Sequence, residues 1–182
     1  GWVSMNRDAY DQRYYRTWMH ELPPLKHMKR GTVLDVHHAI MPLTARLKPD
    51  SDLLLASARP VGDDPRIQVL CPADMVLHSA AHLFHEGDLE LGLRGLVDLD
   101  ALLREFAVQP GFWTELLSRA RALQLEWPLH QALRYAGLLL DAPIPATVTD
   151  ALRASPAVQL APWRQRVLDA LFLRALRPAH AS

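Results

Sequence analysis

Thr32-Val33-Leu34-Asp35-Val36-His37-His38 is a run of β-formers with one carboxylate in its middle. In a strand, side chains alternate between two faces. Val33, Asp35 and His37 therefore share one face, and Leu34, Val36 and His38 the other. A carboxylate on an apolar strand must be solvated, hydrogen-bonded or beside a cation, because an unpaired buried charge is expensive. A cleft-facing, metal-binding Asp35 meets that demand, and so does an edge strand with its polar face wet. Upstream, Leu22-Pro23-Pro24-Leu25 breaks any helix, since proline lacks the donor and biases its predecessor to extended form. Leu25–Lys29 reads as a strand that turns at Gly31 into the opening run, forming an antiparallel hairpin that Pro42 ends. Before it, Asp8–Met19 is rich in aromatic and charged residues and reads as a short amphipathic helix or an irregular segment.

Downstream, Ser51-Asp52 caps a short helix over Leu53–Ala58, closed by Pro60. Val61–Pro65 is a turn, and Ile67–Leu70 is extended. From Pro72 onward the pattern is helical. Pro72 suits a first helical turn, and Asp74 complements the helix dipole. This helix is expected to reach Glu86 and stop at Gly87. Further helices are expected over Glu90–Phe106, Phe112–Leu125 and Pro128–Leu140. A short one capped by Thr147 follows, and a last one spans Pro162–Leu176. The fold class is α+β: a small antiparallel β part near the N-terminus, then a predominantly α-helical bundle with short connections. The expected division is residues 1–70 and 71–182.

The 182 residues carry 20 basic and 20 acidic side chains, so the formal net charge is zero. That balance argues against a general nucleic-acid or membrane-surface binder. Cys71 is the lone cysteine, which excludes an intrachain disulfide and a thiolate metal cage. No apolar run is long enough to span a bilayer. A reducing, cytoplasmic setting is the expectation.

Four constellations carry chemistry. Asp35 with His37 on one strand face offers an oxygen donor of the kind Mg²⁺ prefers. His78 and His82, four apart, share a helix face, and with Asp98 they make a candidate metal set for a hydrolase. No glutamate lies between them in the manner of a His-Glu-x-x-His helix. A polar clasp from His82 to Asp98 on the neighbouring helix is the simpler reading, because buried polar groups need partners. Asp98 and Asp100 lie on a helix, where residues two apart point roughly 200° from one another, so they are poor co-ligands. Arg94 and Arg104 are placed to pair with them. Finally, Arg164, Arg166, Arg174 and Arg177 read as a solvated helix face, and the five tryptophans read as packing.

The order of these pieces resembles a known family. Leu34-Asp35-Val36-His37-His38 is followed by Leu70-Cys71-Pro72-Ala73-Asp74-Met75-Val76-Leu77-His78, then by Ala81-His82-Leu83 and Leu96-Val97-Asp98-Leu99. This succession resembles the uncharacterised nucleotidyltransferase family of the polymerase-beta-like superfamily, over roughly residues 1–106. The resemblance implies transfer of a nucleoside monophosphate from a nucleoside triphosphate to an acceptor, with Mg²⁺ as cofactor. It implies a site of three carboxylates, two of them in an Asp-x-Asp strand after a Gly-Ser turn. Asp35 matches the third and is the candidate catalytic and metal-binding residue. His82 and Asp98 match recurrent positions of the family's helical part and carry over as architectural; with His37 and His78 they make a possible structural or secondary polar site.

The departure from the family is as informative. Upstream of Asp35 there is no Gly-Ser turn and no Asp-x-Asp on an apolar strand. The expectation is therefore the C-terminal portion of a longer nucleotidyltransferase, with residues 1–70 the remnant of its α/β domain. Such a portion is inactive and binds no cofactor tightly by itself. Two alternatives stand beside it. One is a non-catalytic helical interaction module, self-associating through exposed strand edges. The other is the metal-dependent hydrolase built on His78, His82 and Asp98.

Overall fold

The computed structural model describes residues 1–85 and 92–176. These fall into two units, Gly1–Ala56 and Ser57–Ser182. The expected helix end at Glu86–Gly87, Arg177 and the C-terminal tail lie outside the described residues.

In the first unit, β1 (Trp2–Ser4) leads to α1 (Ala9–Trp18). Asp8 caps this helix: its carboxylate accepts the backbone N–H groups of Tyr10 at 2.8 Å and Asp11 at 3.4 Å. Such a cap satisfies donors that the first turn leaves unpaired. No residue of α1 is buried, and Tyr10, Tyr14 and Trp18 line one exposed side at helical spacing. Trp2 and Trp163 are exposed as well, so the expectation that every tryptophan packs internally fails for these three.

The chain then forms β2 (Leu25–His27) and β3 (Val33–Leu34), in a three-stranded antiparallel sheet of order β1-β2-β3. The hairpin turn falls where expected, with Gly31 at φ 70°, a conformation that favours glycine. The strand carrying Asp35 is shorter than expected, however. Regular pairing ends at Leu34, and Val33 and Leu34 are both exposed. The reason lies across the hairpin. Leu25 opposes Leu34, so the next positions opposite Asp35 and Val36 are Pro24 and Pro23. Neither can donate to a ladder. Pairing resumes beyond the prolines with Glu21 opposite His37, and the Leu22 N–H donates to the Val36 carbonyl at 2.8 Å. The His38 N–H donates to the His20 carbonyl at 2.9 Å. Closing the unit is α2 (Ser51–Ala56), whose first turn is capped by Asp50 rather than Ser51.

The second unit opens with a hairpin, β4 (Arg59–Val61) and β5 (Asp64–Val69), turning at Gly62. Pro60 therefore sits in a strand instead of ending a helix. The bundle follows: α3 (Pro72–His85), α4 (Gly92–Phe106), α5 (Phe112–Ala122), α6 (Glu126–Leu140), α7 (Ala146–Arg153) and α8 (Pro162–Leu176). The fold is thus α+β, a small antiparallel sheet and then helices, as the sequence predicts. Pro145, not Thr147, precedes the first turn of α7. Among the described residues, no helix is long and apolar enough to cross a membrane.

At the centre of the bundle lies α3, packed against α4, α5 and α6. Ala73, Val76, Leu77, Ala80 and Ala81 on it are fully buried. Small residues let neighbouring helices approach closely, and each buried leucine or valine contributes about 1.5–3 kcal/mol. Two polar clamps tie elements together. Asp74 of α3, 0% exposed, receives both Nε (2.8 Å) and Nη2 (2.7 Å) of Arg119 from α5, and the Ser57 hydroxyl at 2.6 Å. Asp169 of α8 receives Arg134 Nε at 2.8 Å and Nη2 at 2.6 Å, together with Tyr135 Oη and Gln165 Nε2.

The clamps and the buried titratable groups around them generate three predictions. Removing the cation from a buried pair strands the carboxylate, so Arg119→Ala should lower unfolding free energy by about 3–5 kcal/mol in urea titration. Arg153→Ala, which breaks an exposed pair with Asp150, should change it by less than about 1 kcal/mol.

The second concerns acid. Burial lowers the His130 imidazole from 6.5 to about 4, and the Arg134 guanidinium holds Asp169 down from 3.8 to about 2. In both windows the unfolded chain binds a proton that the folded chain refuses, so stability falls as pH falls. His130 acts from about pH 6.5 down to 4, with a ceiling of about 3 kcal/mol, and Asp169 from about pH 4 down to 2. Urea midpoints measured across this range should lose the upper slope in His130→Asn and the lower slope in Asp169→Asn.

The third concerns Cys71. It is 1% exposed, and burial pushes its thiol up. It should react with a thiol reagent at pH 8 only on the timescale of unfolding, and reaction within seconds in the native protein would contradict this packing.

Candidate functional site

Asp35 lies just beyond the end of β3, where the two prolines interrupt pairing. It is exposed, and its carboxylate makes no hydrogen bond or ion pair among the described residues. The strand alternation that would place it beside His37 does not continue through it. A small hard cation such as Mg²⁺ needs several oxygen ligands. Among the described residues, no trio of metal-competent side chains includes Asp35. The residues present therefore do not fit a complete Mg²⁺ site, and Asp35 stands as a lone, unconstrained carboxylate.

His37 belongs to a different grouping. Its Nε2 lies 3.3 Å from Glu21 Oε2, the residue opposite it across the irregular pairing. Its ring centroid is 5.0 Å from that of His20. One donor atom from each of His20, Glu21 and His37 lies within 4.8 Å of the others. Adjacent residues of a regular strand would point to opposite faces. His20 and Glu21 escape that rule because the chain bends at Met19–His20 as it leaves α1. His20 and Glu21 are half-buried and His37 is exposed, so the cluster is open to solvent on one side. Sequence reasoning singled out His37 but not its two neighbours. The available signal was Met19-His20-Glu21, one residue ahead of the proline pair, which only the pairing register connects to His37.

On α3, the rings of His78 and His82 do meet, with centroids 4.4 Å apart and planes tilted 54° to one another. Asp98 of α4 is exposed and bonds to neither of them among the described residues. The expected His82–Asp98 clasp is not formed, and no trio of metal-competent groups gathers there among the described residues. Asp100 does pair with Arg104 at 2.9 Å, the expected four-residue spacing, while Arg104 also donates to the Leu140 and Asp141 carbonyls at the end of α6. Arg164, Arg166 and Arg174 are exposed, as a solvated face requires.

One concavity was not foreseen. A cleft of about 590 Å³ is lined by His130, Arg134 and Arg153 with Gln159 and Gln165. Its cations are already engaged, Arg134 with Asp169 and Arg153 with Asp150. His130 is held neutral by burial. What remains is a polar hollow without a free charge to select a ligand.

Comparison with known proteins bears on the N-terminal unit and most of the bundle. The model of a family described as uncharacterised nucleotidyltransferase matches residues 1–141. No curated protein and no solved structure matches the chain. The matched span holds Asp35, the His20–Glu21–His37 cluster and the helices α3 to α6, well over half of the chain, and on that ground the chain belongs to the uncharacterised nucleotidyltransferase family.

Proposed function

We propose that this polypeptide contributes one part of a nucleotidyltransferase site that moves a nucleoside monophosphate from a nucleoside triphosphate to an acceptor in the cytoplasm. Asp35 is the carboxylate it brings to the metal. Family membership over residues 1–141 supports the reaction class. The observation that carries the role of Asp35 is its idleness: it is exposed and engaged in no hydrogen bond or ion pair among the described residues. A carboxylate that holds no structural contact is available to a cation.

In-line displacement at phosphorus is served by metal ions clamped between several carboxylates, which stabilise the attacking and leaving oxygens together. The sequence has no Gly-Ser dipeptide, and among the described residues no Asp-x-Asp pair lies on a strand. Asp98 and Asp100 sit on α4, and Asp50 and Asp52 at the start of α2. One carboxylate cannot make the clamp, so the proposal includes that residues 1–182 alone neither retain Mg²⁺ tightly nor turn over nucleotide.

The test is incubation of this polypeptide with Mg²⁺ and each α-labelled nucleoside triphosphate, following triphosphate consumption and label on protein. The expected result is consumption at the level of the protein-free blank. Mg²⁺-dependent turnover that Asp35→Ala abolishes would show that the site is whole without further carboxylates, and would overturn the proposal. Asp35→Ala itself should shift unfolding free energy by no more than about 0.5 kcal/mol, as for surface positions without special contacts.

A further inference from the structure

The His20–Glu21–His37 cluster has a donor set unlike that of a Mg²⁺ site. Two imidazoles and one carboxylate suit zinc and its neighbours in the first transition row, whereas Mg²⁺ prefers oxygen throughout. Three protein ligands with one side open to water is the arrangement of zinc sites that leave a coordination position free. We propose that His20, Glu21 and His37 bind a divalent transition-metal ion of the zinc class, separately from the Mg²⁺ chemistry assigned to Asp35.

Geometry supports this at three points. Ligand atoms about 2.0–2.1 Å from a tetrahedral ion stand roughly 3.3–3.4 Å from each other. The His37 Nε2 to Glu21 Oε2 separation is already 3.3 Å. The third donor, from His20, completes a trio within 4.8 Å, so closing on an ion needs side-chain adjustment and no movement of strands. The backbone beneath is held from both sides of the cluster. Leu22 N–H to Val36 O at 2.8 Å and His38 N–H to His20 O at 2.9 Å bracket the two facing segments. A simple surface ion pair between Glu21 and His37 would use two of these residues. The His20 ring adds a third donor, its centroid 5.0 Å from that of His37.

The experiment uses the whole polypeptide, stripped with chelator and dialysed into a non-chelating buffer. Zn²⁺ is titrated calorimetrically, and Co²⁺ is followed through its visible ligand-field absorption. Expected are one ion per chain with dissociation constants in the micromolar range or tighter, no competition from millimolar Mg²⁺, and a nitrogen-rich Co²⁺ spectrum. His20→Ala and His37→Ala should each weaken binding at least about tenfold, the least that loss of even an outer-sphere partner usually costs. Far-UV circular dichroism checks that each variant is folded, and Glu21→Gln serves as a near-isosteric second test of the same site. The double variant His78→Ala, His82→Ala controls for the histidine pair on α3 and should bind as the parent does. Absence of saturable Zn²⁺ binding would overturn the proposal. So would binding that persists undiminished in folded His37→Ala, or that disappears with His78 and His82.

Discussion

Asp74 is fully buried and charged, and the helical unit is arranged around the need to satisfy it. Its carboxylate sits in the first turn of α3, the helix against which α4, α5 and α6 pack. Arg119 meets it with two nitrogens in a planar fork, and the Ser57 hydroxyl takes a further lone pair. Burying an ion pair brings little net stability over an apolar replacement, but breaking one is costly. The pair therefore disciplines the packing: α5 and the segment entering β4 each have one position relative to α3 that leaves no stranded charge. The aliphatic core supplies the driving force, and the pair penalises any assembly that separates Asp74 from Arg119.

A second arrangement, Asp169 with Arg134, Tyr135 and Gln165, performs the same service for α8. Phe172 adds aromatic contacts with Phe84 and Tyr135. The two clamps differ in exposure. Asp74 is fully buried, whereas Asp169 keeps about a fifth of its side chain exposed. Solvent screens the second more, so the first has the larger mechanical weight.

In the N-terminal unit the organising constraint is a missing donor rather than a buried charge. Pro23 and Pro24 interrupt the ladder between β2 and β3 opposite Asp35. The interruption frees Asp35 from the sheet, and it shifts the resumed pairing so that Glu21 faces His37. One chemical fact, that proline carries no N–H, thus produces both an unconstrained carboxylate and a cluster of nitrogen and oxygen donors within a few residues of one another.

The sequence by itself determined the fold class, the helical half nearly element by element, and the family. Helix starts at Pro72, Phe112 and Pro162 were legible because proline, glycine and apolar periodicity act through local backbone sterics and one helix face. The Asp100–Arg104 pair was legible for the same reason, since residues four apart on a helix are neighbours wherever the helix lies. Only tertiary structure decided what Asp74 does. Its place in a first helical turn suggests a solvated partner for the helix dipole, and nothing local reveals the arginine that arrives from 45 positions away. Tertiary structure likewise decided that Asp98 faces solvent rather than His82, and that His20 and Glu21 join His37. These outcomes depend on which helix face another element covers and on a pairing register displaced by two prolines. Such quantities belong to pairs of segments. Asp35, chosen from the sequence for its setting in a strand, turns out to lie where that strand ends, and its exposure follows from residues on the opposite side of the hairpin.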